Sequence, residues 1–163
     1  MKKTASVLIL LLLIAVLLAG CGNSKPTGGN DIFITINGGK VATGMPFADV
    51  KDQLGTETQP AEVITSCDEN SDWQQTMHFY GGVIVTEDKD GIIDSVTVND
   101  GESTLMGKIA IGATKDEVKS VLGDPGTEDS WGLYYETTNP WVNVYTDEET
   151  GLVSGFALLP AMH

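Results

Sequence analysis

Two periods of apolar residues alternate along this chain. At Phe47, Val50 and Leu54 the spacing is three and four, which predicts a short helix with Pro46 in its first turn and Gly55 at its end. Ahead of it, Ile32-Phe-Ile-Thr-Ile36 reads as a strand, Asn37-Gly38 as a two-residue hairpin turn and Lys40–Thr43 as the return strand. Residues 56–74 are the least regular, with a strand expected over Ala61–Ser66 and a polar, acidic loop over Cys67–Trp73. From there the period is two. Gln75–Tyr80, a Gly81-Gly82 turn, Val83–Thr86, a loop at Asp88–Gly91 and Ile92–Val98 form an expected three-strand meander. Ser103–Ile111 is expected to be extended, and Thr114-x-x-Glu117 is a capping box opening a second helix. Its stripe is Val118, Val121 and Leu122, and Gly123-Asp-Pro125 stops it. Strands at about 131–136, 141–146 and 151–158 follow.

The second series repeats the first. Gly44–Gly55 and Gly112–Gly123 align without a gap at an offset of 68, matching Val50 with Val118, Lys51 with Lys119 and Leu54 with Leu122. Gly39-Lys40 falls over Gly107-Lys108, and Val83, Val85 and Gly91 fall over Val142, Val144 and Gly151. Neither helix stripe is wide enough to fold alone, so each needs the apolar face of its own meander. The expected class is α+β, built from two tandem helix-plus-antiparallel-meander repeats over 31–100 and 101–163.

Residues 1–20 stand apart from this pattern. Lys2 and Lys3 precede an apolar run from Val7 to Leu18, the form of a signal peptide, and Leu18-Ala19-Gly20-Cys21 has the form of a bacterial lipobox. Small residues at 19 and 20 admit the peptidase, and the Cys21 thiol is the expected point of attachment for a diacylglyceryl group with palmitate-like chains. Residues 21–30 then form a polar tether without periodicity. This predicts a lipoprotein of the cell envelope, held to the membrane by the lipid on Cys21 and facing out of the cell.

Removing residues 1–20 leaves 143 of the 163 and takes the formal charge from −14 to −16. Such a chain repels nucleic acid, so no nucleic-acid partner is expected; the acidity would suit a cationic partner, but more often it serves only to keep an extracytoplasmic protein soluble. With Cys21 lipidated, Cys67 has no disulfide partner and is expected to be a small buried residue at a strand end.

Catalysis finds little support in this inventory. His78 and His163 are the only histidines, no glycine-rich phosphate loop is present, and the carboxylates fall in turns and loops. The chain is expected not to be an enzyme and to carry no cofactor. Asp88-Lys-Asp-Gly91 resembles the middle of a calcium loop, but with Gly91 at the sixth position Thr86 and Thr97 occupy the first and twelfth, where carboxylates belong. A turn closing on glycine explains both this loop and Asp147–Gly151, so no metal site is expected.

The Gly-x-Thr-Lys-x-Glu-Val-x-x-x-Leu-Gly-x-Pro helix at 112–125, followed by a meander, resembles the helix unit of the SmpA/OmlA envelope lipoproteins. Two such units in tandem resemble the β-lactamase inhibitor protein fold, whose repeats form one concave sheet. The chain is also similar to lipoproteins of Gram-positive bacteria over nearly the whole mature length, in Ser66-Cys67, Tyr80-Gly81 and Gly107–Gly112. The inhibitor resemblance implies that aromatic and polar residues on the open sheet face grip a protein; here they are Tyr80, Trp141, Asn143 and Tyr145. This chain lacks the inhibitor's paired disulfides. The SmpA/OmlA resemblance implies a structural, envelope-assembly or stress role instead. Period-two alternation independently puts Trp141, Asn143 and Tyr145 on the face opposite Val142 and Val144. The function expected is therefore a non-enzymatic module that binds an envelope or extracellular protein through that face.

Overall fold

A computed structural model describes residues 32–68 and 70–161; the predicted signal peptide, Cys21 and the tether lie outside them. Among the described residues twelve strands and two helices follow in the order β1 (Ile34–Ile36), β2 (Gly39–Val41), α1 (Phe47–Leu54), β3 (Gln59–Thr65), β4 (Gln74–Tyr80), β5 (Val83–Asp88), β6 (Ile93–Val98), then β7 (Thr104–Leu105), β8 (Ile109–Ala110), α2 (Lys115–Leu122), β9 (Thr127–Glu128), β10 (Gly132–Tyr135), β11 (Trp141–Thr146) and β12 (Val153–Leu159). The mixture is α+β, with every strand pairing antiparallel.

The strands form two sheets. Eight lie in the order β3-β4-β5-β6-β12-β11-β10-β9, and four in the order β2-β1-β7-β8. The small sheet was not foreseen as such. Its two hairpins are each too short to be stable alone, and they meet through Ile34 opposite Leu105 and Thr35 opposite Thr104. The first hairpin turns at Asn37-Gly38, both at positive φ, as the dipeptide predicts. With α1 against β2 and α2 against β8, the small sheet and the helices make one layer covering one face of the large sheet.

The core between the layers consists of two rows that cross six strands. One runs Leu133, Val144, Phe156, Val98, Val83, Tyr80; the other runs Tyr135, Val142, Leu158, Val96, Val85, His78. All twelve are buried. Period-two alternation delivers them to one face because each strand keeps register with the next. From the helix layer, Ile34, Val41, Phe47, Val50, Leu54, Leu105, Ile109 and Val118 close the core.

The helices are not equal. Thr114 caps α2 as predicted: its hydroxyl accepts from the Glu117 amide at 3.3 Å, and Glu117 accepts from the Thr114 amide at 2.7 Å. The buried residues of α1 are Phe47, Val50 and Leu54, whereas α2 buries only Val118 and leaves Val121 and Leu122 half-buried. The position of Phe47 is held by Lys115 in α2, whose ammonium donates to the Asp129 carbonyl at 2.7 Å instead of entering the core. Without that aromatic anchor the second helix has less cover, so Leu54 and Leu122 are not buried alike. Cys67 also departs from expectation. It is exposed, two residues beyond β3, where the chain has already left the sheet.

Candidate functional site

The large sheet has a second face, away from the helices. Tyr134, Asn143, Ala157, Thr97, Ile84 and Phe79 stand opposite one another in a row across six strands. Trp141 beside Leu159, and Tyr145 between Gly132 and Gly155, extend that surface. Trp141, Asn143 and Tyr145 are half-buried, alternating with Val142, Val144 and Thr146 beneath them, as the sequence predicted. Ala157, on this same face, is fully shielded by its neighbours.

Glycine at 132 and 155 shapes the ground around Tyr145. A Cβ on Gly132 would come within 2.3 Å of the Val144 carbonyl oxygen, and one on Gly155 within 2.7 Å of the Val98 carbonyl oxygen. Backbone crowding therefore demands glycine on both sides, and the tyrosine ring stands without a flanking side chain on either neighbouring strand.

Tyr80 does not join this group. It ends a core row, buried on the helix-facing side, because it lies two positions beyond His78 in the same strand and both point inward. In its place the sheet supplies Tyr134. Its hydroxyl donates to Asp129 Oδ1 at 3.5 Å, and desolvation, then the Asp129 charge, raise its pKa above the usual tyrosine value. The signal was present in Tyr134-Tyr135: consecutive residues of a strand face opposite ways, so one of the pair had to reach the open face.

The second feature missed in the sequence is the surroundings of His78. The imidazole is buried and stacked on Phe47, with ring centroids 4.0 Å apart. Nδ1 lies 2.7 Å from Glu57 Oε1, and Nε2 lies 3.0 Å from Glu87 Oε1. The Tyr80 hydroxyl donates to the same Glu57 oxygen at 3.4 Å. The hydrogen bond with His78 is the main cause that holds the Glu57 carboxyl below the usual carboxylate range. Burial, followed by the Glu57 charge, pushes Tyr80 up to about 12. Both imidazole nitrogens are thus occupied by carboxylates. The group ties α1, the chain entering β3 and the inner strands β4 and β5 together, and leaves no ring nitrogen open to a ligand. Histidine, glutamate and tyrosine at 57, 78, 80 and 87 carry no fixed spacing, so only the register of β4 on β5, and the pairing of the chain at Thr58–Gln59 with Phe79, bring them together.

At the lower end of the open face, Asp72, Trp73, Gln75, Asp88 and Asp94 border a cleft of about 300 Å3. Gln75 donates to Asp94, and Lys89 pairs with Asp72. Burial, then the Asp88 charge, raise the Asp94 carboxyl above its ordinary pKa. Asp88 itself accepts the amides of Asp90 and Ile92 at 2.9 Å, which makes it the closing acceptor of a hairpin turn. Asp147 does the same for Thr150 in the matching loop. A smaller cleft of about 220 Å3 lies near Leu54, Tyr80, Asp100 and Ser103. Among the described residues no group of three or more His, Cys, Asp or Glu is placed to hold a metal ion, and no helix is long and apolar enough to cross a membrane.

No family model matches this chain, and neither the curated proteins nor the solved structures yielded a significant match.

Proposed function

We propose that this chain is a non-enzymatic binding module that holds an envelope or extracellular protein on the open face of its large sheet. One observation carries the reading: Trp141, Tyr145 and Tyr134 share that face with Phe79, Ile84 and Leu159, all half-buried rather than packed away. Aromatic groups on a rigid sheet offer contact area at small cost in side-chain entropy. His78 does not compete as a catalytic base, since both its nitrogens are engaged.

The same proposal takes the fold to be two tandem repeats of the β-lactamase inhibitor protein kind. The element order strand-strand-helix-four strands occurs twice, and each sheet reads the same from either end under exchange of the halves. It also takes Cys21 to be the lipidated residue that anchors the module to the membrane, on the strength of Leu18-Ala19-Gly20-Cys21. The tether then gives the module reach.

A photo-crosslinker placed at Trp141 in the cell envelope identifies the protein seated on this face. Titration of that protein with the wild type, Trp141→Ala and Tyr145→Ala follows. Each aromatic is expected to contribute about 2 kcal/mol, roughly a thirtyfold change in Kd. Equal binding by all three forms, with the fold intact, overturns the open-face reading.

A further inference from the structure

The two outer strands of the large sheet are treated very differently. At one end β9 is two residues long, and Glu128 within it is bridged by Lys119 at 2.7 Å and Lys115 at 3.5 Å. That edge is short and covered by charge, a usual protection against pairing with another chain. At the other end β3 runs seven residues and, among the described residues, pairs with β4 alone. Its protection stops early: Pro60 and the irregular register between Gln59 and Glu62 blunt the first half. From Glu62 to Thr65 the strand is regular against β4 and exposed throughout, with Val63 60% and Ile64 40% accessible.

An edge of this kind presents a row of backbone donors and acceptors with no strand beside it, and the group that satisfies such a row is another extended backbone. Charge then chooses among extended backbones. From Asp52 through Asp88 the sequence has no lysine or arginine and eight carboxylates. Glu62 lies on the strand itself, Asp68 just beyond it, and neither forms an ion pair among the described residues. The lysine that edge strands commonly use to repel a partner is missing, and the acidic surroundings oppose a second copy of this −14 chain.

We infer that the outer edge of β3, at Glu62–Thr65, receives an extended, lysine- or arginine-bearing segment of a partner polypeptide as a ninth strand. Main-chain hydrogen bonds give the register, and cations beside Glu62 and Asp68 select the sequence. Val63 and Ile64 point to opposite faces and offer one apolar contact on each. This surface is separate from Trp141 and Tyr145, and the inference does not rest on the open-face reading.

The test uses the full chain in mild detergent and a fluorescent seven-residue peptide of alternating lysine and valine. Two comparison peptides carry glutamate for lysine, or N-methylated valine amides on one edge. Anisotropy reads affinity, and hydrogen exchange reads protection of the β3 amides. The lysine peptide is expected to bind and to protect Glu62–Thr65. Loss of the paired amides or of the positive charge is expected to weaken it about tenfold or more. The exposed double variant Val63→Lys, Ile64→Lys is expected to lose binding similarly, while Trp141→Ala stays within about twofold. The inference is overturned if the methylated peptide binds as well as its parent, or if protection appears elsewhere. It is equally overturned if no binding is seen, or if Glu62–Thr65 is already protected in the free chain by its own N-terminal segment or by a second copy.

Discussion

Leu54→Ala tests the packing of α1 on the large sheet, and the structure sets both its cost and the cost of its counterpart. Leu54 is 5% exposed and lies among Ile36, Tyr80 and Val83. The substitution removes three carbons, worth about 0.8 kcal/mol each, so the transfer part comes to about 2.4 kcal/mol. A sealed void would add about 24 cal/mol per Å3. Here the new space joins a cleft of about 220 Å3 that Asp100 and Glu102 also line, where water has polar partners. The cavity part is therefore small, and about 2.5–3 kcal/mol is expected, the lower end of the range for core leucines. Leu122 already exposes part of its side chain, so Leu122→Ala is expected to cost roughly half as much. Urea denaturation followed by tryptophan fluorescence gives both values, provided the slope with denaturant is unchanged. A Leu54 cost below about 1 kcal/mol, or a Leu122 cost equal to or above that of Leu54, refutes the placement of the two helices.

Three further outcomes follow from the geometry. In His78→Gln the Glu57 titration midpoint, followed by NMR, should rise toward the ordinary carboxylate value, since the hydrogen bond with His78 is the main cause of its depression. Because Glu57 is depressed in the folded state, its stabilising contribution is present above the unfolded value and lost as pH falls through the folded one; the wild type and this variant should converge in stability over that acid range. Thr114→Ala should cost about 1 kcal/mol by removing the cap of α2, measured by thermal unfolding; a change within noise argues that the helix start is held by packing alone. Gly132→Ala should cost about 1–3 kcal/mol, since the new Cβ meets the Val144 carbonyl oxygen at 2.3 Å and β10 must shift; an unchanged midpoint in urea would deny that close approach.

The parts of the fold legible in the sequence are those fixed by local rules. The Asn37-Gly38 hairpin, the capping box at Thr114 and the strands of the two meanders depend on residues a few places apart. What periodicity does not carry is which strand lies beside which. The pairing of β6 with β12 and of β1 with β7 joins residues about sixty or seventy positions apart, and no short spacing encodes it. The site divides the same way. Trp141, Asn143 and Tyr145 follow from alternation within one strand, whereas Tyr80 was misplaced because its face is set by His78 and the register on β5. Cys67 was expected to be buried as a small thiol beside a strand, but the polar chain from Ser66 to Trp73 leaves the sheet and takes it into solvent.

The last of the described strands is also in the middle of the large sheet. Phe156, Ala157 and Leu158 of β12 sit against Val98, Thr97 and Val96, with β11 on the other flank. During synthesis, β3 to β6 emerge long before β12, so β6 waits with a bare edge until residues 153–159 arrive. Completion is thus deferred until residues 153–159 have been made, and folding of the whole is slowed by this distant closure. A stop codon shortly before Val153 would not trim an end of the sheet. It would split the sheet down its centre, leaving β6 and β11 as two open strand edges, each suited to capture the wrong chain.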